Sequence, residues 1–172
     1  MVKVNLKSKY VIIAIAFLLV LVCALAWFNR PSGDLEPNTL SVLQNDSVLK
    51  TFSLADIKAL PAIDVKKTIQ SSKEADDSGV FTGVPLEDVL NAIDKNLLIN
   101  GTEFIVRAED GFAITFSKND VLEENNILVA YAKEGQSLGA SRDGGTGPFR
   151  IVGVGDSFGN RCTKYLNEIE VK

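Results

Sequence analysis

Glycine, proline and cationic side chains are concentrated near the end of the chain. The stretch GGTGPFRIVGVGD, Gly144–Asp156, contains five glycines and Arg150, and Arg161 and Lys164 complete three cations within fifteen residues. Glycine permits positive φ and a close approach of the backbone to a ligand. Guanidinium and ammonium groups donate charge-assisted hydrogen bonds to phosphates and carboxylates. These residues could form an anion site, but the same glycines could form only a turn.

The known phosphate-binding patterns do not fit this stretch. Gly153, Gly155 and Gly159 follow a predicted strand, but a dinucleotide fingerprint needs a helix, a second strand and an acidic residue about twenty positions further on. Only thirteen residues follow Gly159, and the chain has no Gly-Lys-Ser/Thr of a P-loop. The chain also has no histidine, which excludes imidazole-based catalysis and imidazole metal sites. We predict no catalytic and no metal-binding residue.

An uncharged apolar run lies near the N-terminus. Residues 11–28, VIIAIAFLLVLVCALAWF, carry no charge and follow three lysines, Lys3, Lys7 and Lys9. A basic flank before an apolar run of about 18 residues is typical of a membrane-spanning helix or of a signal peptide. The positive flank predicts a cytoplasmic N-terminus and an exported domain.

This pattern divides the chain into three parts. We expect a membrane anchor over 1–28, or a signal peptide cleaved near Ala26, a linker over 29–38 rich in proline and small polar residues, and one domain over 39–172 outside the cytoplasm. After the apolar run, 15 basic residues stand against 22 acidic ones, a net charge of −7. A nucleic acid is therefore not an expected partner.

Hydrophobic periodicity predicts alternating strands and short helices in the domain. A helix capped by Ser53 covers 54–60, and another starting at Pro85 covers 85–94. A hairpin covers 102–117, with a two-residue turn at Asp110-Gly111 and with Phe112 among its alternating apolar positions. Further strands or final elements are predicted over 39–43, 47–52, 62–72, 80–84, 126–132, 149–154 and 165–171.

The order of these segments resembles the core of the sulfite-oxidase-type molybdopterin-binding domain. The resemblance covers about Thr39 to Lys172, and its most specific elements are Thr82–Leu86, Gly147–Arg150 and Lys164–Leu166. It implies an α+β domain with a mixed β-sheet and short helices, here after an N-terminal membrane helix. The matching segments are TFSLADIKALP, TIQSS, FTGVPLEDVL, RAEDGFAITFS, ILVAYAKEGQSL, GGTGPFRIVGVG and NRCTKYLNEIEV.

The resemblance also implies a cofactor pocket. Active members of this family hold molybdenum through a pterin dithiolene and one cysteine thiolate, which follows a hydrophobic–Gln pair at the end of a strand. The matching letters here are Ile69-Gln70-Ser71, so a serine stands in place of the thiolate. A hydroxyl is a poorer donor for such a metal than a soft thiolate. With molybdopterin as the implied cofactor, its contacts would be Ser71, Gly145, Gly147, Arg150, Arg161 and Lys164.

Three functions follow from these observations. The first is a membrane-tethered binding module without molybdenum catalysis, which holds an anionic small molecule, a pterin or a partner protein. The second is a molybdopterin-dependent oxidoreductase in which Ser71 replaces the cysteine and a separate carrier takes the electrons. The third is a purely structural surface domain. We expect the first of these.

Overall fold

The computed structural model describes residues 6–28, 38–71, 75–156 and 159–172, and the chain forms two compact units, Met1–Asp34 and Leu35–Lys172. The first unit contains one helix, α1 (Leu6–Phe28), which includes the whole apolar run. Among the described residues, no helix combines the length and the apolar character that crossing a membrane requires. The membrane anchor therefore stays a prediction, and the predicted linker falls mostly outside the described residues.

The second unit consists of strands and short helices. Two single 3₁₀ turns, Ser141–Asp143 and Gly159–Arg161, lie in its C-terminal third. Its other described elements are, in chain order, β1 (Leu40–Gln44), β2 (Ser47–Phe52), α2 (Leu54–Lys58), β3 (Ile63–Ile69), β4 (Asp77–Pro85), α3 (Leu86–Asn91), α4 (Asn96–Asn100), β5 (Glu103–Ala108), β6 (Ala113–Ser117), α5 (Lys118–Leu122), β7 (Ile127–Lys133), β8 (Gln136–Ser137), β9 (Arg150–Gly153) and β10 (Leu166–Val171).

The strands form two five-stranded sheets. The first has the order β2-β1-β10-β5-β6, in which β10 is parallel to β1 and antiparallel to β5. The second has the order β3-β4-β7-β8, and β9 also pairs with β7. Both sheets are thus built from distant parts of the chain, and the mixed α+β class expected from the sequence is confirmed.

Local sequence explains where two of the short helices begin. Ser53 caps α2, because its hydroxyl accepts from Asp56 N and the Asp56 carboxylate accepts from Ser53 N. Ser117 and Asp120 make the same reciprocal pair at the start of α5. Each such cap contributes about 0.5 to 2 kcal/mol, which matters for helices of five residues that cannot form alone.

The two faces of the second sheet carry different cores. Val129 and Tyr131 on β7 belong to a large core that includes residues of both sheets and of α3. Leu128 and Ala130 point to the opposite face, because successive strand residues alternate. There they join a smaller apolar cluster with Ile69, Phe81, Val152 and Cys162. This second face carries the candidate site.

Two predictions of local structure need correction, and two helices were not predicted. Strand β3 ends at Ile69, so Ser71 lies beyond it and is exposed. The β5–β6 hairpin has a four-residue connection, because β5 ends at Ala108 and β6 begins at Ala113. Phe112 therefore leaves the strand alternation and is 47% exposed. Helices α4 and α5 were not predicted, because the apolar residues of each are adjacent in sequence and show no helical spacing.

Candidate functional site

A pocket of about 270 Å³ opens on the second face of the β3-β4-β7-β8 sheet. It is formed by the end of β3, the start of β4, the β5–β6 turn, the start of β9 and the segment before β10. Its walls combine apolar and charged side chains, so it can hold a ligand of mixed character. The lining residues are Ile69, Ser71, Asp77, Asp110, Phe112, Arg150, Gly159, Cys162, Thr163, Lys164 and Tyr165.

The pocket unites three of the six residues that the sequence predicted for the site. Ser71, Arg150 and Lys164 line it, although they are up to 93 positions apart in the chain. Gly145, Gly147 and Arg161 are not among its lining residues. Most of the other lining residues, such as Asp110, Cys162 and Tyr165, lie in segments that resemble the family, but the sequence alone did not indicate them as site residues.

Arg150 is the most buried charge of the pocket, with 3% of the residue exposed. One of its terminal nitrogens donates to Asp77 Oδ2 at 2.7 Å, and its guanidinium lies 5.0 Å from the centre of the Phe81 ring. Lys133 Nζ donates to Asp77 Oδ1. Asp77 therefore pairs with two cations, and the side chains of Asp77, Lys133 and Arg150 together carry one net positive charge.

These contacts set the ionisation of Asp77. Burial on its own would raise the pKa of this carboxyl, but the hydrogen bonds from Lys133 and Arg150 outweigh burial and hold the pKa below its ordinary value. Arg150 Nε is buried and has no hydrogen-bond partner among the described residues. Because this atom is shielded from solvent, a ligand in the pocket cannot reach it without a shift of the surrounding side chains.

Ser71 lies at the mouth of the pocket rather than in its interior. Its side chain is exposed, and its backbone N–H donates to Asp76 Oδ1 at 3.2 Å. The preceding residue, Gln70, accepts a backbone hydrogen bond from Gly159 at 3.1 Å. This bond joins the end of β3 to the 3₁₀ turn Gly159–Arg161, so that both segments border the same pocket.

Cys162 also lines the pocket, a placement that the sequence did not reveal. Its thiol is buried, and its Sγ accepts from Gly153 N at 3.4 Å. Burial raises the pKa of the Cys162 thiol and outweighs the opposing effects of that hydrogen bond and of nearby cations. The side chain is therefore a neutral thiol at neutral pH, which is a weak ligand for metals.

The glycine-rich stretch is a turn whose amides are already used. Within 144–147, each backbone N–H donates to a carbonyl of 138–141 at 2.8 to 3.0 Å. A Cβ on Gly145 would lie 2.4 Å from Leu138 O, so the glycine allows two chain segments to approach closely. The backbone N–H groups of 144–147 are therefore not available to bind an anion, and Gly145 and Gly147 do not line the pocket.

Arg161 has a positioning role outside the pocket. Its guanidinium bonds to Asp120 at 2.8 Å and to Asp156 at 3.3 Å, and it lies 4.8 Å from the centre of the Phe116 ring. Burial would raise the pKa of Asp120, but hydrogen bonds from Ser117 and Arg161 lower it below the ordinary value. Arg161 thus connects the segment before Cys162 to α5 through Asp120 and to β6 through Phe116.

Comparison with known proteins identifies the family. Residues 30–172 match the family described as "Oxidoreductase molybdopterin binding domain". The match includes the whole of the second unit, and the chain belongs to this family. No curated protein matches the sequence.

A solved structure supports the same fold. The chain is similar to the sulfane dehydrogenase SoxCD from Paracoccus pantotrophus, with a TM-score of 0.62 and 15% sequence identity. The similarity covers 81% of this chain and 40% of that chain. The resemblance to the molybdopterin-binding fold inferred from the sequence is therefore confirmed, and the chain corresponds to less than half of that longer protein.

The donor atoms of the pocket do not fit the molybdenum group that this family implies. Where the family supplies a thiolate, this chain has the exposed hydroxyl of Ser71, and the one cysteine of the pocket is a buried neutral thiol. Hard hydroxyl and protonated thiol groups are poor partners for a soft, thiolate-bound metal. Among the described residues, no three His, Cys, Asp or Glu side chains converge to hold a metal ion.

Proposed function

We propose that this domain binds a small anionic molecule in the pocket and has lost molybdenum catalysis. The observation that carries the proposal is the placement of two cations, Arg150 and Lys164, in the lining of one pocket. They stand beside two carboxylates, Asp77 and Asp110, of which Asp77 is already bonded to Arg150 and Lys133. In a domain whose total charge is negative, these cations offer a local site of attraction for anions.

The size of the pocket restricts the ligand. Pockets for drug-sized molecules measure about 300 to 1,000 Å³, and this one measures about 270 Å³. A ligand that fits completely is therefore smaller than a typical drug molecule. Lys164 is the more accessible of the two lining cations, because it is half-buried whereas Arg150 is buried.

Thermal unfolding in inorganic phosphate tests the anion site. We expect phosphate to raise the unfolding midpoint of the wild type above that in chloride of equal ionic strength. Lys164→Gln should remove this shift, because one charge-assisted hydrogen bond contributes about 1.5 to 3 kcal/mol. The matched control is Lys95→Gln, an exposed lysine outside the pocket lining. Equal shifts in both variants, or no shift in the wild type, would overturn the proposal.

Elemental analysis tests the loss of molybdenum. Protein purified from a host that makes the cofactor should contain molybdenum only at background level. Stoichiometric molybdenum would instead support the oxidoreductase with Ser71 as the replacement ligand, and Ser71→Ala should then remove the metal.

We also propose that the domain lies outside the cytoplasm, either tethered through 11–28 or released after cleavage near Ala26. The basic residues before the apolar run support this orientation. Protease added to cells with a permeable outer envelope should then digest the domain from Asp34 onward. Complete protection, with a known external protein digested in the same sample, would contradict the export.

A further inference from the structure

The pocket contains a carboxylate close to the position of Lys164. Strand β10 pairs with β5 through Leu166 and Ala108, and the hydrogen bond from Glu109 N to Tyr165 O, at 2.9 Å, extends this pairing by one residue. One step further along the two segments lie Asp110 and Lys164, and both line the pocket. A negative and a positive side chain therefore border the same cavity from adjacent segments.

Asp110 differs from Asp77, the other carboxylate of the pocket. Asp77 is held by Lys133 and Arg150, whereas Asp110 forms no ion pair within the described part of the chain. Its Oδ1 accepts from Phe112 N at 3.0 Å, a local turn bond that fixes the carboxylate without neutralising it. The carboxylate thus remains able to accept from a cationic group of a ligand.

Apolar surface lies beside this pair of charges. Phe112 is 47% exposed although it is a large aromatic side chain, and it lines the pocket together with Ile69 and Tyr165. Tyr165 has φ 57, a left-handed conformation that is uncommon outside glycine and that often marks functional sites. This wall suits an apolar or aromatic group of a few carbon atoms.

We propose that the pocket binds a zwitterion of the α-amino-acid class with an apolar side chain. Its ammonium group bonds to Asp110, its carboxylate bonds to Lys164, and its side chain packs on Phe112 and Ile69. This assignment rests on the anion site proposed above, which would hold the carboxylate of the ligand, and adds an ammonium contact at Asp110. A free amino acid carries both charges next to one apolar group and agrees with the small volume of the pocket.

Three related probes separate the two charge contacts in a binding titration. Phenylalanine presents both charges, N-acetylphenylalanine only the carboxylate, and phenylalaninamide only the ammonium. We expect phenylalanine to bind about tenfold to a hundredfold more tightly than either derivative, the range for one charge-assisted bond. Asp110→Asn keeps an oxygen for the turn bond to Phe112 N and should abolish the advantage over N-acetylphenylalanine. Lys164→Gln should abolish the advantage over phenylalaninamide.

Asp94→Asn is the matched control. Asp94 is exposed, lies outside the pocket lining, and accepts the same kind of local hydrogen bond, from Asn96 N to its Oδ1 at 2.8 Å. It should leave all three affinities unchanged. Equal binding of phenylalanine and N-acetylphenylalanine in the wild type would overturn the zwitterion and leave the anion site intact. Failure of phenylalanine to bind would also overturn the zwitterion proposal. If phosphate in addition failed to raise the unfolding midpoint, the anion site itself would be rejected.

Discussion

Asp77 connects the stability of the domain to the pocket, and its replacement by asparagine tests how the pocket wall is held. The side chain bridges Arg150 on β9 and Lys133 on β7 from its own strand, β4. Asp77→Asn keeps the shape but removes the charge, which leaves the buried Arg150 guanidinium without a counter-ion. The Lys133 ammonium is partly exposed and can turn toward water.

The cost follows from these exposures. Removing one partner of a fully buried ion pair costs about 3 to 5 kcal/mol, whereas an exposed pair contributes about 0 to 1 kcal/mol. The side chain of Arg150 is 4% exposed and that of Asp77 is 29% exposed, so we expect a loss of about 2 to 4 kcal/mol. In a domain of this size, this corresponds to a fall in the thermal midpoint of roughly 6 to 12 °C.

Thermal unfolding followed by circular dichroism measures this loss. Asp143→Asn is the control, because its pair with Arg142 spans 3.9 Å between side chains that are 70% and 76% exposed. It should change the free energy of unfolding by less than about 0.5 kcal/mol. Equal effects of the two substitutions would refute the view that Asp77 neutralises a buried cation.

The pH dependence of the same variant provides a second check. The pKa of Asp77 lies below its ordinary value of 3.8 in the folded domain. Its charge therefore contributes stability that is fully present above pH 3.8 and is lost as the pH falls through the lower folded-state pKa. The difference between wild type and Asp77→Asn should be constant near neutral pH and shrink below pH 3.8. A difference that grows in acid would contradict this linkage.

Two further predictions concern the glycine turn and the pocket thiol. Gly145→Ala should destabilise the domain by about 1 to 3 kcal/mol, because the new methyl group would clash with Leu138 O. The substitution should leave the phosphate-induced shift of the unfolding midpoint unchanged, and loss of that shift would place the turn in the anion site. Cys162 should react with iodoacetamide at neutral pH far more slowly than a small free thiol, because burial raises its pKa and limits access. Rapid alkylation at Cys162 itself, distinguished from that of the exposed Cys23 by mass spectrometry of peptides, would contradict its buried state.

Local patterns in the sequence were sufficient for most strands and for the family. Two-residue alternation located β3, β5 and β6, because each of these strands turns one face to the core and the other toward solvent. The short capped helix α2 was found through Ser53 and its apolar face. Helix α5 was not predicted although its cap is the same as that of α2, because its two apolar residues, Val121 and Leu122, are adjacent and form no periodic face.

The site was only partly accessible from the sequence. Ser71, Arg150 and Lys164 were recognised through their family motifs, and the structure brings them to one pocket. Gly145, Gly147 and Arg161 belong to the same motifs, but their backbone and side-chain partners lie elsewhere. A motif records which residues occur together in a family, and it does not record which atoms face a cavity.

The sequence by itself determined the acidic charge of the domain, the absence of histidine, the family of the fold, and the presence of Ser71 where the family resemblance leads us to expect a thiolate. These properties depend only on which residues occur and in what order. Only the tertiary structure decided that Asp77 neutralises Arg150, that Cys162 is a buried thiol and that Asp110 and Lys164 border one cavity. The physical reason is that ionisation, burial and ligand contact depend on distances between side chains, which sheet pairing between remote segments sets.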